Sequence, residues 1–102
     1  MNRIQITQVN EVKIENHMHL DGRYILPLVN ATRKFLRTKQ NILNFNVTIS
    51  DEEEENGIVR IGFWGKPIPG KRTIGGRNEN GYAINYFVDM NTGKIVRTSF
   101  AR

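Results

Sequence analysis

The stretch from Tyr82 to Arg97 constrains the fold more than any other part of the chain. Tyr82, Ile84, Tyr86 and Val88 alternate with Ala83, Asn85, Phe87 and Asp89, the period of two that a strand packed on one face requires. Asp89-Met90-Asn91-Thr92-Gly93 follows. Asp and Asn supply side-chain turn bonds there, and Gly supplies a positive φ. The residues from Ile95 to Phe100 return as a second strand. A β-hairpin is therefore expected over this region, and whatever else folds must cover its apolar side.

The rest of the chain offers that cover. From about Tyr24 to Lys39, Ile25, Leu28, Val29, Thr32, Phe35 and Leu36 recur at helical spacing and predict an apolar helix face. Pro27 fits only in the first turn, where its missing N–H has no helical partner. Asn30, Arg33, Lys34 and Arg37 occupy the opposite face. Ile42 to Ser50 reads as a strand with Phe45, Val47 and Ile49 on one side. Ile58 to Trp64 reads as another, with Val59, Ile61 and Phe63 inward. Between them lies an acidic connector ending in Asn56-Gly57, a strong turn dipeptide. Residues 3–15 alternate imperfectly (Ile4, Ile6, Val9, Val12, Ile14) and read as an extended arm or an extra edge strand. Gly65 to Gly81 reads as a long irregular segment rich in Gly and Pro.

These elements predict a single α+β domain over residues 1–102. One N-terminal helix packs on a curled four-stranded antiparallel sheet. The expected core is Phe45, Val47, Ile49, Val59, Ile61, Phe63, Ile84, Tyr86, Val88 and Val96 against Ile25, Leu28, Val29, Phe35 and Leu36. A chain of 102 residues buries roughly two-thirds of its unfolded surface, enough for one core without staples. There is no cysteine, so no disulfide framework or Cys-based zinc site is available. The longest apolar run, Tyr24 to Val29, is far short of the ~20 residues needed to cross a bilayer. With no hydrophobic leader at the N-terminus, a cytoplasmic location is expected.

The net charge of +5 conceals a segregation. Residues 22–50 carry five basic side chains and no acid, whereas Asp51 to Glu55 are five consecutive acids. From residue 56 onward, eight basic side chains stand against Glu79 and Asp89. Charge distribution of this kind speaks to partners more than to fold.

Three chemical motifs fail on inspection. His17-Met18-His19-Leu20-Asp21 has the spacing that opens the metal-binding motif of metallo-β-lactamase-type hydrolases. The next histidine of that motif is Gly22 here, and the chain holds only two histidines. A polar turn before a helix is the expected reading. Gly65-x4-Gly70-Lys71 matches most of a phosphate-binding loop, but Arg72 replaces the Mg²⁺-binding hydroxyl and no helix follows. Ser50 and Ser99 lie in strands without a nearby base. No catalytic residue, metal site or cofactor is therefore expected, and the chain reads as a non-enzyme.

Val88-Asp89, Thr92-Gly93-Lys94 and Ile95-Val96 resemble the C-terminal hairpin of PepSY-type domains. The helix-then-sheet order resembles the cystatin-like architecture that those domains share with nuclear-transport-factor-2-like proteins. Small cytosolic bacterial immunity proteins of that architecture carry a similar ending. The resemblance implies a protein that neutralises a cognate toxin, a nuclease among the candidates, by binding it. From the residues themselves two charged regions stand out as partner surfaces. One is Glu52, Glu53, Glu54 and Glu55, able to stand in for phosphates in a basic cleft. The other is Trp64 with Lys66, Lys71, Arg72 and Arg77, suited to an acidic partner. The alternative function is a small basic nucleic-acid-binding module in which Trp64 stacks a base and the cations of the 65–81 loop neutralise phosphates. Monomer and dimer are equally compatible with the residues.

Overall fold

The computed structural model describes residues 18–51, 56–72 and 75–100. The N-terminal arm, His17 and the four acids Glu52 to Glu55 lie outside the described residues. Asp21 opens the described fold: its Oδ1 accepts from Arg23 N at 3.0 Å and caps a 3-10 turn, Gly22–Tyr24. That is the polar turn expected before the helix. Helix α1 spans Ile25–Leu36 with Pro27 in its first turn. It ends three residues earlier than the periodicity predicts. Thr38 Oγ1 donates to Phe35 O at 2.7 Å, and Lys39 takes φ +69° to turn the chain out. Asn41 Oδ1 accepts from Leu43 N at 3.0 Å and winds Ile42–Asn44 into a second 3-10 turn. The strand expected from Ile42 therefore starts at Phe45.

Strands β1 (Phe45–Asp51), β2 (Ile58–Gly65), β5 (Ile84–Asp89) and β6 (Ile95–Phe100) form one sheet in the order β1-β2-β5-β6. Every pairing is antiparallel. Two short strands, β3 (Arg77–Asn78) and β4 (Gly81–Tyr82), form a separate ribbon inside the segment read as irregular. Tyr82 belongs to that ribbon, so the last hairpin begins at Ile84. Its turn follows the residues named for it. Asp89 Oδ1 accepts from Asn91 N at 2.7 Å and Thr92 N at 3.2 Å, and Gly93 adopts φ +77°. Met90 N donates to Gly57 O at 2.8 Å, which ties this turn to the β1–β2 turn at the same end of the sheet.

Register places Val59, Ile61, Phe63, Ile84, Tyr86 and Val88 on one face, and all six are buried. Helix α1 covers them with Pro27, Ala31 and Phe35. Phe35 stacks on Phe63 at 4.4 Å between ring centres, meets Phe45 edge-on at 4.9 Å, and Phe63 meets Tyr86 edge-on at 5.8 Å. Burial pushes the Tyr86 hydroxyl up to about 12, with a smaller contribution from Tyr82.

Five expected core residues are not core. Ile25, Val29 and Leu36 on α1, and Val47 and Val96 on the sheet, are exposed. The reason is geometric. Pro27, Ala31 and Phe35 lie about four residues apart, and at about 100° per residue they form a narrow stripe. Small Ala31 lets the helix sit close on the sheet, which turns the larger aliphatic stripe to the flank.

Candidate protein-binding surface

Strand β2 carries the candidate residues to one end of the molecule. Trp64 pairs across with Asn46 on the helix-free face and is 39% exposed. Lys66 follows at the mouth of the loop. Its backbone is held on both sides: Lys66 N donates to Asn44 O at 2.9 Å, and Lys66 O accepts from Asn78 Nδ2 at 3.1 Å and Asn80 Nδ2 at 2.8 Å. Asn78 Oδ1 in turn accepts from Asn80 N at 2.8 Å. The far side of the loop is fastened by Gln40, whose Oε1 accepts from Tyr82 N at 2.9 Å and whose Nε2 donates to Tyr82 O at 3.2 Å. This tie joins the helix exit to the β4 strand. A segment expected to be irregular is thus stitched to its surroundings, with residues 73–74 outside the described part.

The basic side chains of this end differ in their engagement. Lys71 Nζ bonds Glu79 Oε2 at 2.8 Å, an exposed ion pair of the kind worth at most ~1 kcal/mol. The Arg77 guanidinium lies 5.8 Å from the Tyr82 ring centre. Lys66 and Arg72 are exposed. Trp64, Lys66, Lys71, Arg72 and Arg77 therefore gather at one end.

Glu52 to Glu55 lie outside the described residues. Their flanking residues Asp51 and Asn56 sit at the opposite end of β1 and β2. The eight residues of β2 separate the ends by about 23 Å at ~3.3 Å per residue.

The helix-free face between them is organised in rows. Thr48, Gly62, Asn85 and Ser99 are successive partners across all four strands. A Cβ built on Gly62 would lie 2.6 Å from Asn85 Oδ1 and 2.9 Å from Thr48 Oγ1, so the polar side chains close over the glycine. The next row is Ser50, Arg60, Phe87 and Arg97. Arg60 Nε and Nη2 donate to Ser50 Oγ at 3.3 and 3.2 Å. The Arg97 guanidinium lies 3.9 Å from the Phe87 ring centre. Phe87 is only 7% exposed although, among the described residues, no helix lies on that face. No local pattern announces that Phe87 is buried with a guanidinium over its ring. Gln40, Asn78 and Asn80 were also missed. The turn-rich Asn78-Glu79-Asn80-Gly81 run carries a signal for the ribbon, whereas nothing near Gln40 announces its tie to Tyr82.

Among the described residues, no group of three or more His, Asp and Glu side chains is placed to hold a metal ion. No helix among them is long and apolar enough to cross a membrane. No protein-family model, curated protein or solved structure matches the chain.

Proposed function

We propose that this chain is a non-enzymatic protein-binding domain acting in the cytoplasm, and that its partner docks on the end bearing Trp64, Lys66, Lys71, Arg72 and Arg77. The observation that carries the reading is an exposed tryptophan beside cations on a loop already stitched in place by Asn78, Asn80 and Gln40. A loop ordered before contact loses less entropy on binding, and Trp with Arg supplies the residue types that dominate interface energy. The partner is acidic at the contact, because complementary charge speeds encounter and selects the partner. In its finer form the proposal is an immunity protein that binds and neutralises a cognate bacterial toxin. The test is co-purification from the native host followed by binding measurements on Trp64→Ala and Arg72→Glu/Arg77→Glu. Unchanged affinity in both variants would remove this end from the interface. Replacing Glu52 to Glu55 by Gln tests the acidic run in the same assay.

A second reading draws on the helix-free face, where Arg60 and Arg97 flank Phe87 beyond Trp64. Those residue types also suit a single-stranded nucleic acid. Fluorescence anisotropy with single-stranded RNA at rising salt decides it. Binding with a steep salt slope supports that reading, and no binding at low salt removes it.

A further inference from the structure

The chain contains two Asn-Gly dipeptides, Asn56-Gly57 and Asn80-Gly81, and the fold holds them differently. Asparagine is among the chemically labile residues. Before glycine it is most so, because no Cβ keeps the glycine nitrogen away from the side-chain amide carbon.

Asn80-Gly81 is pinned. Asn80 Nδ2 donates to Lys66 O at 2.8 Å, and Asn80 N donates to Asn78 Oδ1 at 2.8 Å. Gly81 lies in β4 opposite Asn78, and a Cβ built on it would meet Phe45 Cζ at 2.7 Å. The Asn80 amide is thus committed to Lys66, and the space around Gly81 is filled.

Asn56-Gly57 is not pinned. Both residues are exposed in the turn that leads into β2. Among the described residues, no hydrogen bond holds the Asn56 side chain. Gly57 adopts φ +79°, and the nearest atom to a Cβ built on it is Asn91 Nδ2 at 3.9 Å. The Asn56 amide is free to rotate onto the Gly57 nitrogen, and there is room for a ring to close.

We propose that Asn56 is a self-modifying site. The Gly57 nitrogen attacks Asn56 Cγ; the new N–C bond forms as ammonia leaves, carrying the proton that the glycine nitrogen gives up. Water then opens the resulting succinimide to aspartate or isoaspartate. Either product adds a sixth acid directly after the five of Asp51 to Glu55. Isoaspartate also inserts a methylene into the main chain immediately before Gly57, whose carbonyl accepts from Met90 N at 2.8 Å. The reaction therefore raises the charge of the acidic run and loosens the tie between the two turns at that end of the sheet. The inference is independent of the protein-binding end.

Ageing the full chain in neutral buffer at physiological temperature tests it, read by peptide mapping in a mass spectrometer and by methylation with an isoaspartyl methyltransferase. In the native protein the amide-to-acid mass gain and the isoaspartyl signal are expected in the peptide that holds Asn56. They should appear at least about tenfold faster there than at Asn80, where two hydrogen bonds must break first. In urea, where the fold no longer separates the two dipeptides, the rates converge. Asn56→Gln abolishes the fast signal with an unchanged circular dichroism spectrum. The isoaspartate form exchanges its Met90 amide faster than the starting protein. A native Asn56 that reacts no faster than Asn80 overturns the proposal. So does a difference that persists undiminished in urea, since the fold would not be its cause. An isoaspartate form with unchanged Met90 exchange overturns the link to the second turn.

Discussion

The two faces of the sheet solve the same problem with different materials. Each strand alternates, so each face carries aromatic rings. On one face Phe63 and Tyr86 are sealed by α1 through Phe35. On the other, Phe87 is buried with the Arg97 guanidinium 3.9 Å from its ring centre, while Trp64 is left partly open. A helix excludes water over a wide area and commits that face to stability. The other face instead surrounds its rings with polar rows, Thr48, Asn85 and Ser99 in one and Ser50, Arg60 and Arg97 in the next. Mutations on the two faces should therefore separate stability from recognition.

The largest effect belongs to the covered face. Phe63→Ala removes a ring in contact with Phe35 and Tyr86, and should lower stability by about 3–5 kcal/mol in urea unfolding. The same face predicts a pH dependence. The Tyr86 hydroxyl is raised to about 12 by burial first and by Tyr82 second, against about 10 when unfolded. The stabilisation is therefore full below pH 10 and is lost as pH rises through 12. The loss approaches roughly 2–3 kcal/mol, and Tyr86→Phe should flatten that limb of the stability profile.

Gln40→Ala lies between the two faces. It strips both backbone ties from Tyr82 and should cost about 1–2 kcal/mol, read as faster hydrogen exchange at Tyr82 with little change elsewhere. Arg97→Ala uncovers Phe87 and should cost about 0.5–1 kcal/mol. Trp64→Ala should change stability by no more than ~0.5 kcal/mol yet weaken capture of the partner. If Trp64→Ala unfolded the protein while Phe63→Ala did not, the contrast between the faces would be wrong.

Much of the fold was legible because alternation and turn chemistry are local. Val59, Ile61 and Phe63, and Ile84, Tyr86 and Val88, fall inward as their spacing predicts. Asp89 and Gly93 form the turn that their chemistry requires. The helix was legible in existence but not in orientation. Its aliphatic residues span a wider arc than the sheet can cover, so periodicity, which placed Phe35 inward, could not say that Pro27 and Ala31 would join it while Ile25, Val29 and Leu36 would not. The candidate surface was legible as a composition, Trp64 among Lys and Arg. Its order was not, because Gln40 reaches Tyr82 across 42 positions and no local pattern encodes such a bond.

The sequence by itself determined the four long strands, the existence of the helix, the turn at Asp89 to Gly93, and that acid and base are segregated along the chain. Each of those follows from contacts between near neighbours. Only the tertiary structure decided that Gln40 ties Tyr82 to the helix exit, that the Arg97 guanidinium lies over Phe87, and that Pro27, Ala31 and Phe35 form the inward stripe of α1. These depend on how antiparallel pairing and helix docking bring distant residues together, which local spacing does not specify.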